Sequence, residues 1–320
     1  MTAEPLLAET HAPDNPVISV HGLTKQFGDR VVVDGLDMQV GAGEIFGFLG
    51  PNGSGKTTFI RMLCGLLRPD SGEGTCLGLD IRTQAASIKP QVGYMAQRFS
   101  LYEDLTVKEN LEFMARVYGL EHIRDTVDAT IQRMGLERYA RNLAGSLSGG
   151  WKQRLALGAC TQHNPRLLLL DEPTAGVDPG ARRDFWDEVH KLAGQGLTAL
   201  ISTHYMDEAE RCHRLAYIAY GKLLARGTTE ELVRGSGLIT WTVRSKNGDD
   251  EAVFQLSREL EHRPGVDQVV PVGVSLSVCG RDSRTLQSLA DEYATEFSWN
   301  ASETSLEMVF IDLMRNAEVN

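Results

Sequence analysis

The stretch Gly50-Pro51-Asn52-Gly53-Ser54-Gly55-Lys56-Thr57-Thr58 fits the pattern G-x-x-x-x-G-K-[ST]. Three glycines let a backbone wrap a polyphosphate without side-chain clashes. The freed N–H groups and a following helix N-terminus then aim positive charge at the phosphates. In this pattern Lys56 reaches the β and γ phosphates and the Thr57 hydroxyl ligates Mg²⁺. A second set is the pair Asp171-Glu172, directly after Leu167-Leu168-Leu169-Leu170. Asp171 suits Mg²⁺ coordination, and Glu172 is placed to polarise a water that attacks a γ-phosphate. A third is Leu147-Ser148-Gly149-Gly150-Trp151, where a serine and two glycine amides at a helix start can grip phosphate.

Those groups work only if particular elements hold them. The apolar run Glu44 to Leu49 reads as a buried strand, and Phe59, Ile60, Leu63 and Leu66-Leu67 recur at helical spacing. The glycine-rich stretch therefore lies between a strand and a helix. Leu167–Leu170 reads as another buried strand, placing both carboxylates at its C-terminal end, the edge that faces ligands in parallel sheets. Strand-like runs at 17–20, 30–33 and 36–40 precede the phosphate loop and imply an antiparallel sheet beside it. Roughly Phe99 to Gln162 reads as helix, with Thr106 and Glu109 forming a capping box and Gly135 closing a helix over 123–134. Strands then return at 167–170, 198–202 and 215–219, the first two joined by a helix that starts at Asp178-Pro179 and ends before Gly194. Alternating strands and helices imply a mostly parallel sheet, with the helical block inserted into an α/β core. The Ser148 segment starts a helix of that insertion, on the wrong side of its own phosphate loop. A second copy of the chain is needed to bring it there.

The 320 residues allow two domains. A net charge of −11 argues against a nucleic-acid binder. Five scattered cysteines without a C-x₂-C pair indicate neither a zinc site nor a disulfide framework, and read as free thiols in a reducing compartment. The first 15 residues read as a disordered tail without the basic and apolar blocks of a signal peptide. No apolar run reaches 18 residues, so membrane work requires a partner. After Gly237 a strand (239–244), a helix (251–261), a hairpin turning at Gly273, a helix (283–293) and a final helix (306–314) make a small α/β domain. It carries no catalytic pattern of its own.

Taken in order, these motifs resemble the ATP-binding cassette (ABC) ATPases, over about residues 17 to 234. The resemblance implies a P-loop NTPase fold of ABC type: a mostly parallel core sheet, an antiparallel β subdomain and an inserted α-helical subdomain at about 98–163. It places the nucleotide-binding domain at 16–235 and a C-terminal accessory α/β domain at 236–320. It also implies an ATP-sandwich dimer, in which the L-S-G-G-Q signature of one subunit closes over ATP held by the other. Phe27 matches the aromatic that stacks on adenine, and Gln97 the glutamine that contacts Mg²⁺ or water and senses a membrane partner. Asp178 lies in the match to the D-loop at the dimer interface, and His204 matches the switch histidine of the γ-phosphate. Trp151 stands where the family usually has glutamine, which opens a role for it packing across that interface. Glu172 is present, so the resemblance implies hydrolysis.

The runs Tyr94 to Phe99, Leu105 to Leu111, Thr174 to Pro179 and Ser305 to Phe310 are similar to the type-2 exporter branch. That branch includes ATPases for drug, lipid and polysaccharide export. It implies a separately encoded permease docking near Arg98–Glu103, and a peripheral position on the cytoplasmic face of the membrane. A soluble cassette ATPase that remodels a macromolecular complex is the rival reading, and a ligand-regulated C-terminal module a third.

Overall fold

The computed structural model describes residues 6–7 and 15–318. The expected disordered tail, 1–15, lies outside those residues except for Leu6, Leu7 and Asn15. Leu6–Leu7 forms a short strand, β1, parallel to Ala225–Arg226. The chain forms two compact units, one ending at Leu223 and one that takes in β1 and the chain from Leu224 onward.

In chain order the first unit holds β2 (Ile18–Phe27), β3 (Arg30–Val40), β4 (Ile45–Leu49), α1 (Lys56–Leu63), β5 (Ser71–Cys76) and β6 (Leu79–Asp80). Next come α2 (Ala85–Ile88), β7 (Val92–Met95), α3 (Val107–Val117), α4 (Ile123–Arg133), α5 (Gly149–Thr161) and β8 (Leu167–Asp171). Then follow α6 (Pro179–Gly194), β9 (Thr198–Thr203), α7 (Met206–Ala209) and β10 (Arg214–Ala219), before β11 (Lys222–Gly227) spans the division.

Strands β10, β4, β9, β8 and β7 pair in that order, all parallel. Every residue of β4, β8 and β9 is buried, which explains their uninterrupted apolar reading. Register is what builds the site. Leu49 lies opposite Thr203, and Asp171 opposite Ser202. The turn after β4, the carboxylates after β8 and the imidazole after β9 thus emerge on one edge.

The antiparallel sheet runs β3-β2-β5-β6. Its β5, Ser-Gly-Glu-Gly-Thr-Cys, has little intrinsic strand preference. It forms because β2 provides the partner, and its glycines permit close approach: a Cβ on Gly74 would lie 2.7 Å from Ser19 O. Ile18, Val20, Leu36 and Met38 from this sheet share one core with Phe48, Phe59 and Ile60 beneath the phosphate loop. Helices α3 and α5 pack together, and the Thr106/Glu109 capping box is formed at the start of α3.

The second unit holds α8 (Thr229–Ser236), β12 (Ile239–Ser245), α9 (Asp250–Leu260), β13 (Gln268–Val272), β14 (Ser275–Gly280), α10 (Ser283–Glu292), β15 (Phe297–Ser302) and α11 (Leu306–Glu318). Its sheet, β13-β14-β12-β15, is antiparallel throughout, and the β-α-β-β-α-β order is the split βαβ arrangement. Val243, Leu276 and Val278 face Leu256, Leu260 and Leu286 from α9 and α10. Met308 of α11 closes on Leu238 and Cys279.

Candidate functional site

The turn between β4 and α1 needs glycine at three points. Gly53 and Gly55 take φ of +79° and +107°, and a Cβ on Gly55 would sit 2.5 Å from Val32 O. A Cβ on Gly50 would lie 2.0 Å from Ile218 O. The turn is therefore a cradle that side chains cannot line. Gly55 is the N-cap of α1, so the unpaired N–H groups of the first helical turn open into the cradle.

Lys56 is buried and its ammonium is held in place. Its Nζ donates to Gly50 O (2.7 Å) and Pro51 O (3.0 Å) and lies 3.3 Å from Glu172 Oε1. Burial pulls its pKa below the ordinary lysine value, against the raising effect of Glu172. Glu172 adopts the left-handed region at φ +45°, uncommon for a residue with a Cβ. Its N–H donates to Ser202 O and Ser202 Oγ, which fixes the turn. Its second oxygen accepts from Gln97 Nε2 (2.8 Å), and His204 Nδ1 lies 3.3 Å from it. Lys56, Gln97, Glu172 and His204 thus meet around one buried carboxylate.

Asp171 lies behind them, fully buried. Its Oδ1 accepts from Thr57 Oγ1 (3.0 Å) and Ser202 Oγ (2.7 Å), while its Oδ2 is buried without a hydrogen-bond partner. Ser54 Oγ, inside the phosphate loop, is likewise unpartnered. An orphaned carboxylate oxygen beside a threonine hydroxyl is a hard-oxygen donor set, and it fits Mg²⁺. Among the described residues no group of three or more His, Cys, Asp or Glu forms a complete metal cage.

Not every expected residue is brought to this cluster. Phe27 ends β2 and is 49% exposed, with Lys25 Nζ 5.4 Å above its ring. Thr58 lies in the first turn of α1, and Asn52 is exposed on the rim of the turn. Ser148, Gly149 and Gly150 begin α5 elsewhere in the unit. The nearest non-local atoms to a Cβ on Gly149 or Gly150 belong to Gly176, Asp178 and Ala181. Asp178 caps α6, accepting from Gly180 N and Ala181 N. The Trp151 ring packs within its own chain, 4.6 Å from the Tyr139 ring and 5.3 Å from the Arg154 guanidinium. Arg154 in turn pairs with Asp184 (2.7 Å).

Sequence reasoning missed two residues. Ser202 bridges Asp171 and the Glu172 amide; being the last-but-one residue of a strand, it gave no signal of its own. Glu208 is 1% exposed, and its oxygens accept from Thr203 Oγ1 (2.6 Å) and Thr174 Oγ1. Nothing in the run Met206-Asp207-Glu208-Ala209 distinguishes Glu208 from its neighbour Asp207.

The comparisons fit this geometry. The family model described as "ABC transporter" matches residues 33–175. The chain is 33% identical over 304 residues to the linearmycin resistance ATP-binding protein LnrL of Bacillus subtilis, covering 93% of this chain and 98% of that one. It is 45% identical over 222 residues to the probable multidrug ABC transporter ATP-binding protein YbhF of Escherichia coli, covering 69% of this chain but only 38% of that relative. A solved ATP-binding cassette of an ABC transporter in its ADP conformation superposes with a TM-score of 0.61 at 27% identity, covering 68% of this chain and 92% of that one. The cradle, the carboxylates and these relatives agree, and the chain belongs to the ATP-binding proteins of the ABC transporter family, resembling the type-2 exporter branch.

Proposed function

We propose that this chain hydrolyses ATP as one half of a head-to-tail pair and so drives an exporter whose membrane-spanning permease is a separate chain. The observation that carries the reading is the split in the site. Lys56, Thr57, Gln97, Asp171, Glu172 and His204 converge on one sheet edge, while Ser148, Gly149 and Gly150 lie beside the chain's own Asp178 turn. A second copy related by a two-fold axis supplies the missing serine and glycine amides, and each copy then completes the other's pocket.

In the mechanism that follows, Lys56 leaves Glu172 for the β and γ phosphates, which the Gly50–Thr58 amides cradle. Phe27 offers an exposed ring face to the base. Thr57 and Asp171, with Gln97 beside them, would hold Mg²⁺, which would supply neutralising charge to the phosphates. Glu172, released by Lys56, orients the attacking water, and His204 steadies the charge that develops on the γ-phosphoryl oxygens. Ser148 and the Gly149 and Gly150 amides of the second copy close over the same phosphates, next to Asp178. ATP binds both faces only in the closed pair, so it shifts the pair towards closure, and hydrolysis removes that bridge.

Among the described residues no helix is long and apolar enough to cross a membrane. A permease contacting Arg98–Glu103, with this chain on the cytoplasmic face, supplies the transport path. The names of the relatives, a multidrug transporter protein and a linearmycin resistance protein, favour a drug-like cargo. The C-terminal unit serves as an accessory domain.

A mixing experiment tests the pair. Ser148→Phe and Lys56→Ala are each expected to be nearly inactive. Mixed one to one they should recover roughly a quarter of wild-type ATPase activity, because half of the pairs contain one intact pocket of two. Full activity of Ser148→Phe alone, or no recovery on mixing, refutes the shared pocket. A neighbouring reading frame with apolar spans of ~20 residues would support the exporter reading, and neighbours for ribosome or iron–sulfur assembly would overturn it.

A further inference from the structure

At the end of the parallel sheet opposite the phosphate loop, the cassette has a second cavity, of about 360 Å³. It opens where β4, β8 and β9 begin, lined by Ala42, Arg166 and Thr198, and extends to the ends of α4, α5 and α6 at Arg133, Thr161 and Leu192. Its volume is in the range of small-molecule sites.

The chemistry of the lining is lopsided. The chain carries a net charge of −11, yet two guanidinium groups and no carboxylate line the cavity among the described residues. Arg133 donates through one terminal nitrogen to Thr161 Oγ1 (2.9 Å), but its Nε is buried and has no partner. Arg166 stands exposed at the mouth. Leu77, Leu192 and Leu197 give the same lining an apolar part.

The ends of α4, α5 and α6 bring partial negative charge, at most about half a unit each. Much of it is already engaged: Thr161 O accepts from Asn164 N, and Leu192 O from Gln195 N and Leu197 N. Two full positive charges therefore outweigh it.

We propose that this cavity binds a small amphipathic anion, its phosphate or carboxylate on Arg133 and Arg166 and its apolar body along Leu77, Leu192 and Leu197. Such an occupant would tie the antiparallel sheet, the core sheet and the helical insertion together at one point. It would also sit at the far end of α5, the helix whose other end carries Ser148.

The test is calorimetric titration of the full chain with octyl phosphate, the phosphate loop first saturated with ADP and Mg²⁺. One equivalent is expected to bind, with octanol and inorganic phosphate each at least about tenfold weaker. Arg166→Gln and Arg133→Gln, titrated separately, should each weaken octyl phosphate by about tenfold; Arg166 is exposed, so at least that variant keeps the fold. No binding to the wild-type chain in the millimolar range overturns the proposal. So does unchanged affinity in both variants, and so does octanol or inorganic phosphate binding as tightly as octyl phosphate.

Discussion

Replacing Glu172 with Gln should lower the stability of the nucleotide-free chain and raise its affinity for ATP. The two effects share one cause. Lys56 and Glu172 lie 3.3 Å apart with side chains 4% and 7% exposed. At that distance, with an effective dielectric of about 20, their attraction is about 5 kcal/mol. Removing one partner of a buried pair typically costs 3–5 kcal/mol. Here Lys56 keeps two carbonyl acceptors, Gly50 O and Pro51 O, and the amide keeps an oxygen for Gln97, so the loss should be nearer ~2–3 kcal/mol. For a unit of this size that is a fall of about 5–10 °C in melting temperature. The same energy no longer has to be overcome when Lys56 moves to a phosphate, so ATP should bind about tenfold tighter or better. Thermal melts without nucleotide, equilibrium ATP binding and phosphate release make three independent readings. ATP should restore most of the lost melting temperature, and phosphate release should cease. An unchanged melting temperature together with unchanged ATP affinity would falsify the claim that the pair guards the empty pocket. Undiminished phosphate release would instead remove Glu172 from the water-orienting role.

Gly55→Ala should lose nucleotide binding altogether: its Cβ meets Val32 O at 2.5 Å in a backbone conformation at φ +107°, and retained ATP binding would show that the cradle relaxes. Trp151→Gln removes a ring contact with Tyr139 and a cation–π contact with Arg154, and should cost roughly 1–2 kcal/mol in denaturant unfolding. An unaltered midpoint would mean that the indole acts elsewhere. The buried thiols predict an alkaline decline in stability: burial pushes Cys64 up to about 11 and Cys76 and Cys160 up to about 12. Above the unfolded thiol pKa of about 8.5 the unfolded chain releases its protons first, so stability falls as pH rises, by up to about 1.4 kcal/mol per unit for each thiol. Lys56, with its lowered pKa, works in the opposite direction but is a single group. Melting temperatures should therefore decline from about pH 8.5 upward, and a flat profile to about pH 10.5 would contradict the burial of these groups.

The parts of the site that were legible in the sequence are those where covalent order forces the chemistry. A glycine-rich turn between a buried strand and a helix, and two carboxylates after four leucines, can be read because neighbours in sequence remain neighbours in space. Ser202 and Glu208 were hidden because their roles arise from register. Only when Asp171 is paired with Ser202 does a strand serine reach a carboxylate 31 positions away. The strand Ser71–Cys76 was missed for a related reason: its glycines lack local preference, and tertiary pairing with β2 overrides it. The helix Thr229–Ser236 carries a formed capping box at Thr228 and Glu231, a signal present in the sequence although eight residues are too few for a clear apolar period. Trp151 shows the limit of a motif comparison. Its departure from glutamine could be seen, but its engagement with Tyr139 depends on the loop between α4 and α5 folding back.

Glu208 has a mechanical meaning. One of its oxygens clamps the segment just past Glu172 and the other the strand end just before His204. The carboxylate arm and the imidazole arm are thereby riveted to a common post, so neither can swing without dragging its counterpart. A signal that arrives at either arm would move both at once, and a graft that transplanted only one into another scaffold would leave its hinge behind.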